Sequence, residues 1–339
     1  MSPLRRRTLL AALPPLAAAA TVMPTPSRAQ QGTAPGAAEP WPSQPVRLVV
    51  PFAAGGPTDV PARLVADEMS KLLPQRVVVE NRTGAGVVVG TDLVAKAPRD
   101  GHTILYSTIA HSVARALFPR LPFDPVADFQ PVALLGQIPM IMLVNNDVPA
   151  TSLAELAALI RANPGRYDYG SSGNGGAVHL AGELFLSLAG GLRATHVPYR
   201  GSSAALPDLL SGRLAFMVDV ASSALPYARD GRLRALAIST RERSPLAPNI
   251  PTFIEAGVPG YEAYTWHMLF VPQGTPRPVV NAINAAANRV MARDDIRARL
   301  TDLTMQVVSD STPESAAAFL AAEIAKWEPI IRDRAITVG

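Results

Sequence analysis

The chain is 339 residues long and contains no cysteine, which excludes disulfides, thiolate catalysis and Cys-ligated metals and leaves core burial alone to hold the fold. Its 31 basic residues outnumber its 27 acidic ones. Four of the basic residues, Arg5, Arg6, Arg7 and Arg28, precede residue 30 and no acid does, so the body is balanced and lacks the basic face that nucleic-acid binding needs.

Residues 1–29 read as a signal peptide, with three arginines, an apolar run over 9–22 and Ser27-Arg28-Ala29 as a small-x-small cleavage signal. Pro14 and Pro15 break the run, which is shorter than the roughly 20 residues of a membrane-spanning helix. Arg6-Arg7-Thr8-Leu9-Leu10 fits a twin-arginine pattern without its usual flanking residues, so Tat and Sec export are both open, and either route leads to the periplasm. Residues 30–41, rich in Gly, Ala and Pro, form a flexible lead-in.

Short β-branched runs then alternate with helical segments, the βαβ pattern of parallel sheets, so the fold class is α/β. Strands are predicted over 46–50, 77–80 and 103–107, with helices over 61–73 and 87–97, and further strands over 131–135 and 141–145. Ser152 and Glu155 form a capping box that starts a helix. The alternation restarts with strands over 167–169, 195–197, 214–219 and 236–238 and helices over 178–189, 203–210 and 224–230. After a Pro-rich stretch over 244–259 come a strand over 268–271 and helices over 279–293 and 313–331, too little strand for a third sheet. The expected division is two lobes, 42–144 with 265–339 and 145–264, joined by two crossings that make a hinge.

Two loops carry the candidate chemistry. Pro51-Phe52-Ala53-Ala54-Gly55-Gly56-Pro57-Thr58-Asp59 runs from a strand into a helix. Its glycines let the backbone approach a ligand, and the helix start offers unpaired N–H groups and the positive dipole end to an anion. Thr58 or Asp59 acting as a helix cap, with Gly55-Gly56 as turn chemistry, is the plainer reading. Tyr169-Gly170-Ser171-Ser172-Gly173-Asn174-Gly175-Gly176-Ala177-Val178-His179 repeats the arrangement in the other lobe. Open parallel sheets place ligands at the carboxyl ends of their strands, and two such turns suit a carboxylate.

A secreted hydrolase using Ser171 or Ser172 with His179 and Asp219 is the competing class, but the loop does not match Gly-x-Ser-x-Gly, and loop serines are more often donors or caps. Gly84-Ala85-Gly86-Val87-Val88-Val89-Gly90 mimics a dinucleotide fingerprint, yet Asn81-Arg82-Thr83 separates it from its strand. His102, His111, His179, His196 and His267 show no metal-ligand spacing, so neither metal nor cofactor is expected.

The order of several motifs over nearly the whole mature chain resembles the extracytoplasmic solute receptors of tripartite tricarboxylate transporters, the Bug or TctC family. The matching segments are Val46-Arg47-Leu48-Val49-Val50-Pro51-Phe52 with Gly55-Gly56-Pro57-Thr58-Asp59, Val79-Glu80-Asn81-Arg82, Ala97-Pro98-Arg99-Asp100-Gly101-His102-Thr103 and Phe123-Asp124-Pro125 with Asp128-Phe129. Further on come Ser171-Ser172-Gly173-Asn174-Gly175 with His179-Leu180-Ala181-Gly182-Glu183, His196-Val197-Pro198-Tyr199-Arg200-Gly201, Asp219, Ile250-Pro251-Thr252-Phe253 and Trp266.

The resemblance implies a type II periplasmic binding-protein fold, a two-lobed Venus flytrap whose mainly parallel sheets are flanked by helices. It implies no catalysis and a small carboxylate ligand (a di- or tricarboxylate, an acidic amino acid or an aromatic acid) held by backbone N–H groups and waters. The implied partners of this monomer are that ligand and the permease subunits of a tripartite transporter, with an orphan sensor as the variant. Carried over by position, the ligand-binding residues are Phe52, Ala54, Gly55, Thr58 and Asp59 from one lobe and Ser171, Ser172, Asn174 and His179 from the other. Ser107, Thr108 and His111 end the third strand, and Tyr199, Asp219 and Trp266 wall the far side, with Asp219 either receiving a ligand ammonium or serving as a buried structural acid. His102 stands where Tyr is usual, Val220 where a polar residue is common, and Val87-Val88-Val89 where Gly and Asn are. These departures point to a ligand with an apolar or aromatic distal group.

Overall fold

A computed structural model describes residues 41–338. The signal peptide, its export route and all of the lead-in except Trp41 lie outside the described residues. Trp41 itself, expected to belong to the flexible lead-in, packs against His102, with ring centroids 6.2 Å apart.

The chain runs β1 (Val46–Val50), α1 (Asp59–Met69), β2 (Val77–Asn81), α2 (Val88–Ala95), β3 (Thr103–Ser107), α3 (Ile109–Leu117) and β4 (Phe129–Val144). It continues through α4 (Leu153–Ala162), β5 (Asp168–Ser171), α5 (Ala177–Leu188), β6 (Thr195–Pro198), α6 (Ser202–Leu210), β7 (Phe216–Val220), α7 (Ala221–Arg229) and β8 (Arg234–Ile238). It finishes with β9 (Tyr264–Pro272), α8 (Arg277–Met291), α9 (Asp294–Asp302), β10 (Gln306–Val307) and α10 (Pro313–Asp333). The mixed α/β class is as expected. In β1 every residue but Arg47 is buried, as befits a parallel strand covered on both faces. The helix α1 buries Ala62, Val65, Ala66 and Met69, a stripe of helical period, while Pro61 sits in the first turn where a missing N–H costs nothing.

The strands form one curled sheet in the order β2-β1-β3-β9-β4-β7-β5-β6, with β8 and β10 also paired to β4. In the first lobe β1 lies parallel to β2 and β3, and β9 joins β3 to β4 by antiparallel pairing. In the second lobe β5 lies parallel to β6 and β7. Both lobes share β4, whose residues up to Pro139 pair with β9 and whose residues from Met140 pair with β7 and β8.

The sequence predicts two separate strands here, over 131–135 and 141–145. The structure instead makes a single strand of 16 residues. Pro131 sits beside a register shift and Pro139 at the exchange of partners, where the ladder does not need their N–H groups. Gly136 is required by close approach, since a Cβ there would lie 2.7 Å from the Met305 side chain and 2.8 Å from the Gln306 carbonyl. The predicted capping box at α4 also forms differently: Ser152 Oγ accepts the Glu155 N–H at 3.2 Å, but Glu155 reaches back to the Thr151 N–H.

One apolar cluster belongs to the first lobe, under α1 and α8, and another to the second, under α6 and α7. A third runs through both and includes Leu320, Trp327 and Ile331 of α10. The final helix, expected to finish on the first lobe alone, therefore extends to the second, where Arg334 just past its end pairs with Glu183 and donates to the Leu192 carbonyl.

Candidate functional site

The turn between β1 and α1 is tied down from inside. Asp59, 1% exposed, accepts hydrogen bonds from the Gly55 N–H at 2.7 Å, Arg63 Nε at 2.8 Å and Asn81 Nδ2 at 2.7 Å. Asn81 also donates to the Phe52 carbonyl and accepts from Arg63, closing the network. Burial works to raise the Asp59 pKa, but the bonds from Arg63, Gly55 and Asn81 outweigh it and hold the carboxylate ionised. Asp59 is therefore a brace of the turn with its oxygens already taken, and the Gly55 N–H is spent on it. The Ala54 and Thr58 N–H groups have no partner among the described residues, and the Thr58 side chain makes no cap bond.

At the end of β3, Ser107 is completely buried with its Oγ unpartnered. Thr108, expected to end the strand, instead caps α3, which the sequence did not reveal. His111 lies inside that helix, with Nε2 2.8 Å from the Pro125 carbonyl and its ring stacked on Phe270. Burial pushes its pKa down to about 4, so it is a neutral packing residue.

In the second lobe the turn from β5 into α5 is organised around Ser171. Its Oγ accepts the Gly173 N–H at 3.1 Å and lies 2.6 Å from His196 Nε2. His179 Nδ1 accepts the Gly175 N–H at 3.0 Å, and its ring stacks on His196 at 3.7 Å. Burial, then His196 and Arg334, push the His179 pKa down to about 3. No side chain caps α5, and the Ala177 and Val178 N–H groups have no partner among the described residues, while Asn174 is exposed and Ser172 half-buried. This is the helix-start geometry that favours an anion. Gly175, at φ +67°, has little room for a side chain: its Cβ would fall 2.6 Å from Leu117 and 2.9 Å from Val338, which would have to shift. The second turn therefore lies against the end of α3 in the first lobe.

Three expected wall residues point elsewhere. Trp266 is fully buried, donating from its indole to Glu323 at 2.9 Å, and has no surface to offer a ligand. Asp219, also fully buried, accepts from Ser202 Oγ, Ser223 Oγ and the Val220 N–H, which favours its structural reading over an ammonium receptor. Burial raises its pKa against those bonds. The Tyr199 hydroxyl donates to Asp208 at 2.7 Å, and burial with that carboxylate pushes its pKa up to about 12. His102 bears on no site, since it occupies the opposite end of β3 from Ser107, beside Trp41. Val220, half-buried, packs against the first-lobe cluster and against the cluster that runs through both lobes.

The hydrolase triad is not assembled. His179 bonds to Gly175 and Asp219 to two serines, while Ser171, which does meet a histidine, has no exposed surface. That histidine, His196, lies in a motif noticed in the sequence but given no role; its register opposite Tyr169 on β5 was the missing signal. Among the described residues no group of three or more His, Asp or Glu side chains could hold a metal. Neither loop lines the cavity of about 520 Å³ beside Arg115, Phe118 and Phe123 or that of about 250 Å³ between α7 and Thr304.

Residues 61–336 match the profile of the tripartite tricarboxylate transporter family receptor. The chain is 40% identical over 292 residues to a UPF0065 protein in the tcbD-tcbE intergenic region of Pseudomonas sp. (strain P51), covering 86% of both. It is 35% identical to Protein BugT of Bordetella pertussis, covering 88% of this chain and 92% of that one. Among solved structures, R. palustris Rpa4515 with adipate superposes with a TM-score of 0.76 at 34% identity, covering 88% of this chain and 100% of that one. MatC from Rhodopseudomonas palustris with bound malate does so at 0.74 and 38% identity, covering 86% and 100%.

Proposed function

The chain belongs to the tripartite tricarboxylate transporter receptor family, and from that premise we propose that it is exported by Tat or Sec and captures a small carboxylate between its lobes as a monomer, for delivery to the permease of a tripartite transporter. The family is one of periplasmic solute-binding receptors, not enzymes. The observation that carries the carboxylate reading is the pair of uncapped helix starts, α1 with the free Ala54 and Thr58 N–H groups and α5 with those of Ala177 and Val178, one in each lobe. Each presents donors and a positive dipole end to one anionic group, and two of them match the two ends of a dicarboxylate. Adipate and malate in the two related structures are such acids.

The residues proposed to meet the ligand are Ala54 and Thr58 in the first lobe and Ser172 and Asn174 in the second, with Ser107 behind them. Val220, half-buried against the first-lobe cluster and the cluster that runs through both lobes, favours an apolar segment between the carboxylates. We place the hinge at the partner exchange in β4 between Pro139 and Met140 and at the return from Ser239 to Tyr264. The carboxylate engages both helix starts only when the lobes meet, so it shifts the open–closed equilibrium by its differential affinity.

A thermal-shift panel of dicarboxylates, tricarboxylates, acidic amino acids and aromatic acids on the mature protein tests this reading, each hit being checked for turnover. Saturable stabilisation without product supports it, whereas product formation abolished by Ser172→Ala would sink it. Asn174→Asp should weaken binding by more than about tenfold, because a donor becomes a like charge. Unchanged affinity removes Asn174 from the site.

A further inference from the structure

The His196 side chain lies beneath the second-lobe turn rather than on it, and it governs how that turn's donors point. Ser171 Oγ accepts the Gly173 N–H and has two places to send its own proton, His196 Nε2 at 2.6 Å or the Gly173 carbonyl at 3.1 Å. With His196 neutral and Nε2 unprotonated, the hydroxyl donates to the ring. With His196 charged, Nε2 becomes the donor, and the Ser171 proton must turn to the Gly173 carbonyl.

The charges facing His196 leave this choice finely set. From the β5 side come Ser171 and the stacked Tyr169 ring, 5.0 Å away. From α5 come His179, stacked at 3.7 Å, and Glu183. His179 is locked neutral, because its Nδ1 already accepts from Gly175. Glu183 is occupied by the Tyr169 hydroxyl and by Arg334 from the end of α10, which offsets its charge. The strand β6 carries no charged residue. Burial thus lowers the His196 pKa with only a partly neutralised carboxylate to oppose it. A ligand carboxylate seated on the α5 start would supply the missing negative charge next to this ring.

We propose that His196 is the positioning residue of the second-lobe turn and takes up one proton as a carboxylate binds, so that capture is linked to proton uptake; the ligand half of this rests on the function proposed above. The sign follows from linkage: ligand stabilises the protonated ring, so affinity rises as pH falls, by at most about tenfold per pH unit for one proton.

The test is calorimetric titration of the mature protein with adipate, malate and any other acid active in the thermal-shift panel, at pH 6, 7 and 8, in buffers of different ionisation heat. Wild type should take up protons on binding and bind more tightly at pH 6 than at pH 8. His196→Gln keeps an acceptor for Ser171 but cannot gain a charge, so it should bind within about threefold of wild type at pH 8 and show neither proton uptake nor acid strengthening. His196→Leu should bind more weakly at every pH. Nitrogen NMR of the ligand-free protein should find His196 neutral with its proton on Nδ1 and His179 neutral with its proton on Nε2. Binding without proton exchange, uptake that persists in His196→Gln, or His196 already charged at pH 7 without ligand overturns the proposal. Failure of every acid to bind overturns the capture reading as well, and is thereby told apart from binding without protons.

Discussion

Replacing Asp59 by Asn keeps the shape of the brace under the first turn and removes its charge. The carboxylate accepts three hydrogen bonds, from the Gly55 N–H, Arg63 Nε and Asn81 Nδ2, at 2.7 to 2.8 Å. A hydrogen bond to a charged group contributes about 1.5–3 kcal/mol, and Asn retains one accepting oxygen while turning an amide donor toward donors. Arg63 is half exposed, so its pairing adds only about 0.2–1 kcal/mol. The expected loss is about 2–4 kcal/mol at pH 7, read from urea unfolding of the mature protein.

Acid supplies the second check. Burial tends to raise the Asp59 pKa, but the three bonds hold it below its ordinary value. A depressed native pKa means a contribution fully present above the unfolded value of about 3.9 and lost as pH falls through the native one. Wild type should therefore lose this stability on acidification while Asp59→Asn does not, and their curves should draw together as pH falls below about 3.9. A gap below about 0.5 kcal/mol at pH 7, or one that stays constant into acid, would refute the brace.

Gly175→Ala adds a Cβ against Leu117 and Val338 at a left-handed φ, so it should cost roughly 1–3 kcal/mol and weaken carboxylate binding more than about tenfold; wild-type affinity by calorimetry would contradict this. Arg334→Ala leaves the buried Glu183 without its ion-pair partner and should destabilise by about 3 kcal/mol, seen as a lower thermal midpoint. Trp266→Phe removes one of the donors to Glu323, which keeps Trp327, and should cost about 1 kcal/mol with ligand affinity unchanged; lost binding would return Trp266 to the site.

Much was legible in advance where one local signal sufficed. The βαβ period located β1, β2, β3 and the helices between them, because a strand or helix that buries one face must repeat its apolar residues at that element's own spacing. The two glycine-bearing turns were legible for the same reason, since each lies between a strand and a helix start. Other elements were not: α3 and α9 were missed, and the single strand β4 was read as two.

Which side chains line a site was a different matter. Trp266, Asp219 and Asp59 carry the chemistry of ligand contacts, and sequence cannot distinguish a polar group that faces a ligand from one whose valences are filled by partners far along the chain. Glu323 lies 57 residues from Trp266, and Arg334 lies 151 from Glu183. Sequence alone determined the α/β class, the absence of cysteine chemistry and the positions of the two glycine-bearing strand-to-helix turns, all properties of neighbouring residues. Only the tertiary structure decided that Asp59 braces its turn, that α10 reaches the second lobe and that His196 lies under Ser171, because those are pairings made by packing, and a hydrogen bond is filled by whatever the fold brings to it.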